Sequence, residues 1–187
     1  IEELNKYRTG LRIMSGGFTL SGGEPLIQDR FAARLFAAAQ AMGIHTALDT
    51  NGSLGDRLSD TELEKIDLVL LDIKTWDTNH HKLLTGQDVG PVLDFAHRLA
   101  ALNKAVWLRF VLVPGFTDDP GDIDRIAELA VGLGNVERVD VLPFHQMGRF
   151  KWKELNLSYR LEGVEPPTPE VVERVCEQFR SAGLNTY

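Results

Sequence analysis

Gly17-Phe18-Thr19-Leu20-Ser21-Gly22-Gly23-Glu24-Pro25 is an apolar run that stops at two glycines, a carboxylate and a proline, and a helical pattern begins at Leu26. Two glycines at a strand end let backbone approach a ligand. Without Cβ atoms they tolerate positive φ and present N–H and C=O groups to small polar moieties, while Glu24 adds a fixed charge. A bare Gly-Gly-Glu is more often a solvated turn, so the runs that follow must decide. Each of them also ends in polar or special residues. Ile44 to Leu48 meets Asp49-Thr50-Asn51-Gly52, Leu68 to Leu71 meets Asp72-Ile73-Lys74, Val106 to Val113 meets Pro114-Gly115, and Val139 to Leu142 meets Pro143-Phe144-His145. Strands of this kind, separated by helical segments, form a parallel α/β sheet through right-handed crossovers. Such sheets place their chemistry at the carboxyl ends of the strands.

The 187 residues fit one domain, 1–187, with a core large enough to fold without disulfides. A formal charge of −7 without basic clusters argues against nucleic acid or anionic membrane as the main partner. No apolar run approaches the roughly 20 residues that span a bilayer. Ile1-Glu2-Glu3 lacks the basic and apolar regions of a signal peptide, so a cytoplasmic location is expected. Cys176 stands alone, with Val172, Val175 and Phe179 at core-like spacing, and reads as a buried apolar residue rather than a reactive thiol.

The first dozen residues read as an amphipathic helix with Leu4, Tyr7, Leu11 and Met14 on one face. Leu26 to Met42 reads as a helix with Phe31, Leu35, Phe36 and Ala39 inward, stopped by Gly43. Ser59-Asp60-Thr61 caps a short helix, and the strand from Asp67 to Ile73 is apolar enough to be covered on both faces. His80 and His81 fall in a loop before a helix from about Pro91 to Leu102. Further helices run from Pro120 to Leu133 and from Pro169 to Ala182. Gly148 to Pro167 reads as a long irregular loop, and Leu184 to Tyr187 as an edge strand.

The rim so defined gathers Glu24, Asp49, Asp72, Lys74, Arg109 and His145 with the backbone of Gly22 and Gly23, a mixture suited to a zwitterion bearing an amino group, a carboxylate and hydroxyls. Asp72 and Lys74 share one strand face, either as a functional pair at the mouth or as a structural ion pair. Asn51-Gly52 is ordinary turn chemistry, whereas Asp49 at a strand end needs a partner, for which Lys74 is the candidate. His145 is either a satisfied core imidazole or an exposed ring at a strand end. His45, His80, His81 and His97 carry no assigned role, and the His80-His81 spacing resembles no zinc motif.

Taken together, Gly16 to Pro25, Leu48 to Gly52, Leu71 to Lys74, Val106 to Arg109, Val113 to Gly115, Leu142 to His145 and Lys151-Trp152 resemble the pyruvate formate-lyase activating enzymes, a family of radical S-adenosylmethionine enzymes. The likeness runs over nearly the whole chain. It implies a partial (β/α)6 barrel, here lacking its first strand, that binds a [4Fe-4S] cluster and S-adenosylmethionine at the open rim. It further implies that an electron from the cluster cleaves the sulfonium, and that the 5′-deoxyadenosyl radical takes a hydrogen from a glycine Cα of the partner, leaving a glycyl radical. Pyruvate formate-lyase is the implied partner and a flavodoxin-type protein the implied electron donor.

By the same resemblance Gly22, Gly23 and Glu24 hold the methionine amino group, and Asp49, Asp72, Lys74 and His145 surround the cofactor, with Lys74, Asp72 and His145 nearest the chemistry. Asp49, Thr50, the Leu70 carbonyl and Asp72 match a monovalent cation site, and Arg109 meets the substrate peptide. One departure is severe. The family's CxxxCxxC cluster loop is absent, and Cys176 cannot replace it, so an N-terminally truncated chain that neither assembles the cluster nor turns over is expected. Two other readings compete: a barrel aldolase with Lys74 as Schiff base, and a non-catalytic fragment that binds S-adenosylmethionine or the partner.

Overall fold

The computed structural model describes all 187 residues. Five strands lie side by side in chain order, each parallel to the next: β1 (Gly17–Leu20), β2 (His45–Thr50), β3 (Leu68–Asp72), β4 (Ala105–Leu112) and β5 (Val136–Pro143). An unbroken 1-2-3-4-5 order keeps the winding in one direction and puts the crossover helices on one face of the sheet. The burial along β4 shows the consequence. Val106, Leu108, Phe110 and Leu112 are sealed against helices, while Trp107, Arg109 and Val111 on the other face stay half-open. β3 behaves alike, with Val69 and Leu71 sealed and Leu70 and Asp72 half-open. The expectation that β3 is covered on both faces is therefore wrong, because no helix crosses the concave side. The sheet is an open, partial barrel.

Eight helices complete the chain: α1 (Glu2–Ile13), α2 (Asp29–Ala41), α3 (Asp60–Leu63), α4 (Thr78–Thr85), α5 (Gly90–Ala101), α6 (Pro120–Leu133), α7 (Arg149–Glu154) and α8 (Pro169–Ser181). Their starts follow from local chemistry. Ser59 and Glu62 form a reciprocal capping box on α3, while Asp119 and Thr168 cap α6 and α8, each of which has proline at its first position. α6 ends where Gly134 turns left-handed at φ 71°. The helices and the convex sheet face share one apolar cluster, in which Phe110 meets Phe179 of α8 edge-on at 5.6 Å. The tail extends the sheet beyond β5: the Val139 N–H donates to the Asn185 carbonyl, and the Tyr187 N–H donates to the Val139 carbonyl. β1 keeps a neighbour on one side only.

Several sequence expectations need correcting. His80 and His81 lie in α4, not in a loop, because Asp77 caps that helix by accepting from the His80 N–H. The segment after Gly148 carries α7. Phe31 is 59% exposed, since Ala32, Phe36 and Ala39 form the buried face of α2. α1 buries no residue fully; Leu4 and Leu11 are half-buried, and Arg8 Nε donates to the Met42 carbonyl at 2.8 Å. No helix is long and apolar enough to cross a membrane.

The turn after β2 is packed tightly onto α5. A Cβ on Gly55 would stand 2.2 Å from the Phe95 ring, and one on Gly52, at φ 75°, would stand 2.7 Å from Leu71. Gly55→Ala is therefore expected to destabilise the fold by about 1–3 kcal/mol. An unchanged urea midpoint would contradict this packing.

Candidate functional site

Parallel register brings the site together. Asp72 on β3 pairs with Arg109 on β4, and Asp49 on β2 lies opposite Leu70, so the three charged side chains stand on the concave face at the carboxyl rim. Arg109 Nη1 donates to Asp49 Oδ1 at 2.6 Å, and its Nε lies 3.8 Å from Asp72 Oδ1. Lys74 Nζ donates to Asp72 Oδ2 at 2.7 Å, and Ser21 Oγ donates to Asp49 Oδ2 at 3.0 Å. Asp49 thus finds Arg109, not the anticipated Lys74. Two carboxylates and two cations cancel in charge across three adjacent strands. One atom is left over: Asp72 Oδ1 is buried with no hydrogen-bond partner. A buried acceptor left unpaired costs about 1–3 kcal/mol, offset here in part by the Arg109 guanidinium 3.8 Å away.

These groups line a cavity of about 470 Å³. The lining is Ser21, Gly22, Gly23, Asp49, Thr50, Asn51, Ser53, Asp72, Lys74, His81, Thr85, Gln87 and Arg109, with Val92 its one apolar residue. Cβ atoms on Gly22 or Gly23 would meet nothing within 4 Å, so their backbone faces open space. A polar cradle of exposed backbone, paired carboxylates and two cations fits the amino, carboxylate and hydroxyl groups of S-adenosylmethionine.

Two anchors fix the rim. Glu24 accepts from the Leu26 N–H, the Asn51 N–H and the Thr50 hydroxyl, all at 2.9–3.0 Å, and so ties the end of β1 to the end of β2. Asp122, at the start of α6, accepts from Thr75 Oγ1 at 2.6 Å and from the N–H groups of Trp76 and Asp77 at 2.9–3.0 Å. This clamps the backbone that leaves Lys74.

The sequence of this chain matches the model of the radical SAM superfamily over residues 2–130. It is 41% identical to the pyruvate formate-lyase-activating enzyme of Staphylococcus epidermidis, over 99% of this chain and 75% of that protein. It is also 41% identical to the pyruvate formate-lyase 1-activating enzyme of Escherichia coli strain K12, over 94% of this chain and 72% of that one. The chain belongs to the pyruvate formate-lyase-activating family of radical SAM enzymes. Among solved structures, a domain of the pyruvate-formate lyase-activating enzyme from Bacteroides vulgatus superposes with TM-score 0.75 at 24% identity, over 92% of this chain and 98% of that one. A radical SAM methyltransferase from Sphaerobacter thermophilus gives TM-score 0.67 at 17% identity, over 91% and 50%. Both likenesses are of fold alone.

Of the residues that the activase likeness singles out, Gly22, Gly23, Asp49, Thr50, Asp72, Lys74 and Arg109 share the cavity wall. Glu24 and His145 do not. The Glu24 carboxylate is consumed by the β1–β2 tie, and His145 is exposed, its Nδ1 accepting from the Met147 N–H at 3.3 Å. The Thr50 hydroxyl is likewise committed, to Glu24 and to the Gly52 N–H. Leu70 lines a separate hollow lower on the concave face. The wall also includes His81, which the sequence reading left without a role. Its signal was the His81/Thr85 spacing of i and i+4 just before Gly86, visible only once that stretch is known to be helical.

Residues 1–187 hold one thiol, Cys176, which is sealed in α8, where burial pushes it above the ordinary range, so it is no thiolate ligand for the cluster that the family implies. The aldolase reading is displaced by the family membership and by the ion pair that engages Lys74.

Iodoacetamide is expected to label Cys176 only after denaturant unfolds the chain; rapid labelling of the native protein would contradict its burial. Asp122→Ala should cost about 2–4 kcal/mol and speed amide exchange at Trp76 and Asp77. Unaltered protection there would mean that Asp122 is not the clamp.

Proposed function

We propose that the cavity is the S-adenosylmethionine site of an activase that makes a glycyl radical on pyruvate formate-lyase. The observation that carries the reading is the convergence of Gly22 and Gly23 backbone with the Asp49–Arg109–Asp72–Lys74 set at the carboxyl rim, in a chain of this family. When bound and reductively cleaved, S-adenosylmethionine supplies the radical that takes a hydrogen atom from a glycine Cα of the partner. The chain's own residues bind and orient. The open backbone at Gly22 and Gly23 and the Asp49 and Asp72 carboxylates receive the ammonium group, while Lys74 donates to the carboxylate or the ribose. Arg109, drawn off Asp49 by an incoming peptide, offers its guanidinium to that peptide's backbone carbonyls.

In the same reading Asp49, Thr50, the Leu70 carbonyl and Asp72 hold a monovalent cation, the charge role that Arg109 fills between the two carboxylates in this structure. Glu24 acts through the rim it ties, and His145 reaches the cofactor only if its own loop closes over the cavity. We further infer one domain over residues 1–187, a cytoplasmic location and a flavodoxin-type electron donor. Cleavage needs an electron, and no thiolate set here can hold the cluster that would deliver it. Residues 1–187 alone therefore bind without turnover.

Titration with S-adenosylmethionine, followed by NMR or calorimetry, is expected to show weak, saturable binding that Lys74→Ala or Asp72→Asn lowers about 10–100-fold. Binding indifferent to both substitutions would overturn the site. Anaerobic reconstitution with iron and sulfide should yield no [4Fe-4S] absorption band from these residues, and a stable band would contradict their inactivity.

A further inference from the structure

His81 is 5% exposed, yet it belongs to the cavity wall. Its ring is fixed from one side. Nδ1 lies 2.8 Å from the Gln87 carbonyl, which can only accept, so Nδ1 carries the proton. Thr85, one turn further along α4, reinforces the arrangement: its hydroxyl sits 3.2 Å from Nδ1 and donates to the His81 carbonyl at 2.8 Å. The left-handed Gly86, at φ 78°, turns the chain so that Gln87 reaches back to the ring. Nε2 makes no hydrogen bond within the chain, and it is not among the polar atoms sealed without a partner. In the neutral imidazole it is therefore a bare lone pair, and it is the one polar atom of a buried ring left to face the cavity.

We infer that His81 is a ligand-binding residue whose Nε2 accepts a hydrogen bond from a ribose hydroxyl of S-adenosylmethionine. This rests on the reading of the cavity given above and extends it to α4. The chemistry narrows the choice. A carboxylate is repelled by a lone pair and has Lys74 and Arg109 available. An ammonium group finds stronger acceptors in Asp49, Asp72 and the backbone of Gly22 and Gly23. What remains is a neutral donor. A vicinal diol both donates and accepts, and the β3–α4 connection offers it both partners: the Lys74 ammonium as donor and His81 Nε2 as acceptor. The cavity residues held against the His81 ring, Thr85 and Gln87, are uncharged, which suits a sugar and not the ionic end of the ligand.

The test compares binding of S-adenosylhomocysteine with that of its 2′-deoxy and 3′-deoxy analogues, by NMR titration of the unaltered chain and of His81→Leu and His81→Gln. Removal of one of the two hydroxyls should weaken binding to the unaltered chain about tenfold. In His81→Leu that hydroxyl dependence should vanish, and in His81→Gln, whose amide oxygen stands near the position of Nε2, it should partly return. Full hydroxyl dependence in His81→Leu would overturn the inference while leaving the cofactor site intact. Failure of the unaltered chain to bind S-adenosylhomocysteine at all would overturn the cofactor site and this inference with it. A second readout needs no substitution. The imidazole nitrogen spectrum of the unaltered chain should show Nδ1 protonated and Nε2 bare, with Nε2 shifting on addition of S-adenosylhomocysteine. A ring protonated at Nε2 alone, or an Nε2 signal that ligand leaves unmoved, would refute the assignment.

Discussion

The guanidinium of Arg109 stands between two carboxylates, at 2.6 Å from Asp49 and 3.8 Å from Asp72, and the rest of the site is arranged around that bridge. Asp49, Asp72 and Arg109 are each about three-quarters covered, where an unmatched charge would be expensive. Lys74 supplies the second cation, so the four side chains are electrically neutral as a set. Neutrality lets the rim fold without a ligand. It also means that a zwitterion can enter without changing the total charge, exchanging its ammonium and carboxylate for partners the quartet already holds.

That quartet exists only because three consecutive strands run parallel in a fixed register. A slip of one residue in β3 against β4 would turn Asp72 toward the helices and Leu71 toward the cavity. The register is held from outside the site. The convex face packs Val69, Leu71, Leu108 and Phe110 into the core cluster. At the rim, Glu24 ties β1 to β2, and Asp122 clamps the chain beyond Lys74. Both are carboxylates spending their hydrogen bonds on backbone N–H groups, which is how a loop stays in place when no regular structure surrounds it. Gly22 and Gly23 then sit on a firm platform with their backbone open to the cavity.

Much of this was legible in the sequence because strand ends announce themselves. Four apolar runs, ending at Asp49, at Asp72, at Pro114-Gly115 and at Pro143-Phe144-His145, pointed to a parallel sheet with a polar rim, and alternation put Asp72 and Lys74 on one face. What failed was side-chain aim. Glu24 lies beside the cradle, but local backbone donors at Leu26 and Asn51 claim its carboxylate first. His145 follows a rim strand, yet the turn after it draws its ring toward the Met147 N–H. The partner of Asp49 was misassigned because the reach of Arg109 across two strands cannot be judged from spacing. His81 went unnoticed for the opposite reason: its importance depends on a long-range cavity wall and on a carbonyl that Gly86 brings back. Phe31 was misplaced by choosing the larger residue over the alanines that form the true inner face of α2.

The account stands or falls on whether the neutral quartet is a lock that a zwitterion opens. A crystal structure of these 187 residues with S-adenosylmethionine at saturating concentration tests this most directly. It should show the amino acid end against Gly22, Gly23 and the Asp72 carboxylate, with at least one of the Arg109–Asp49 and Lys74–Asp72 contacts opened. A ligand bound elsewhere, or a cavity left unfilled with both ion pairs intact, would contradict it.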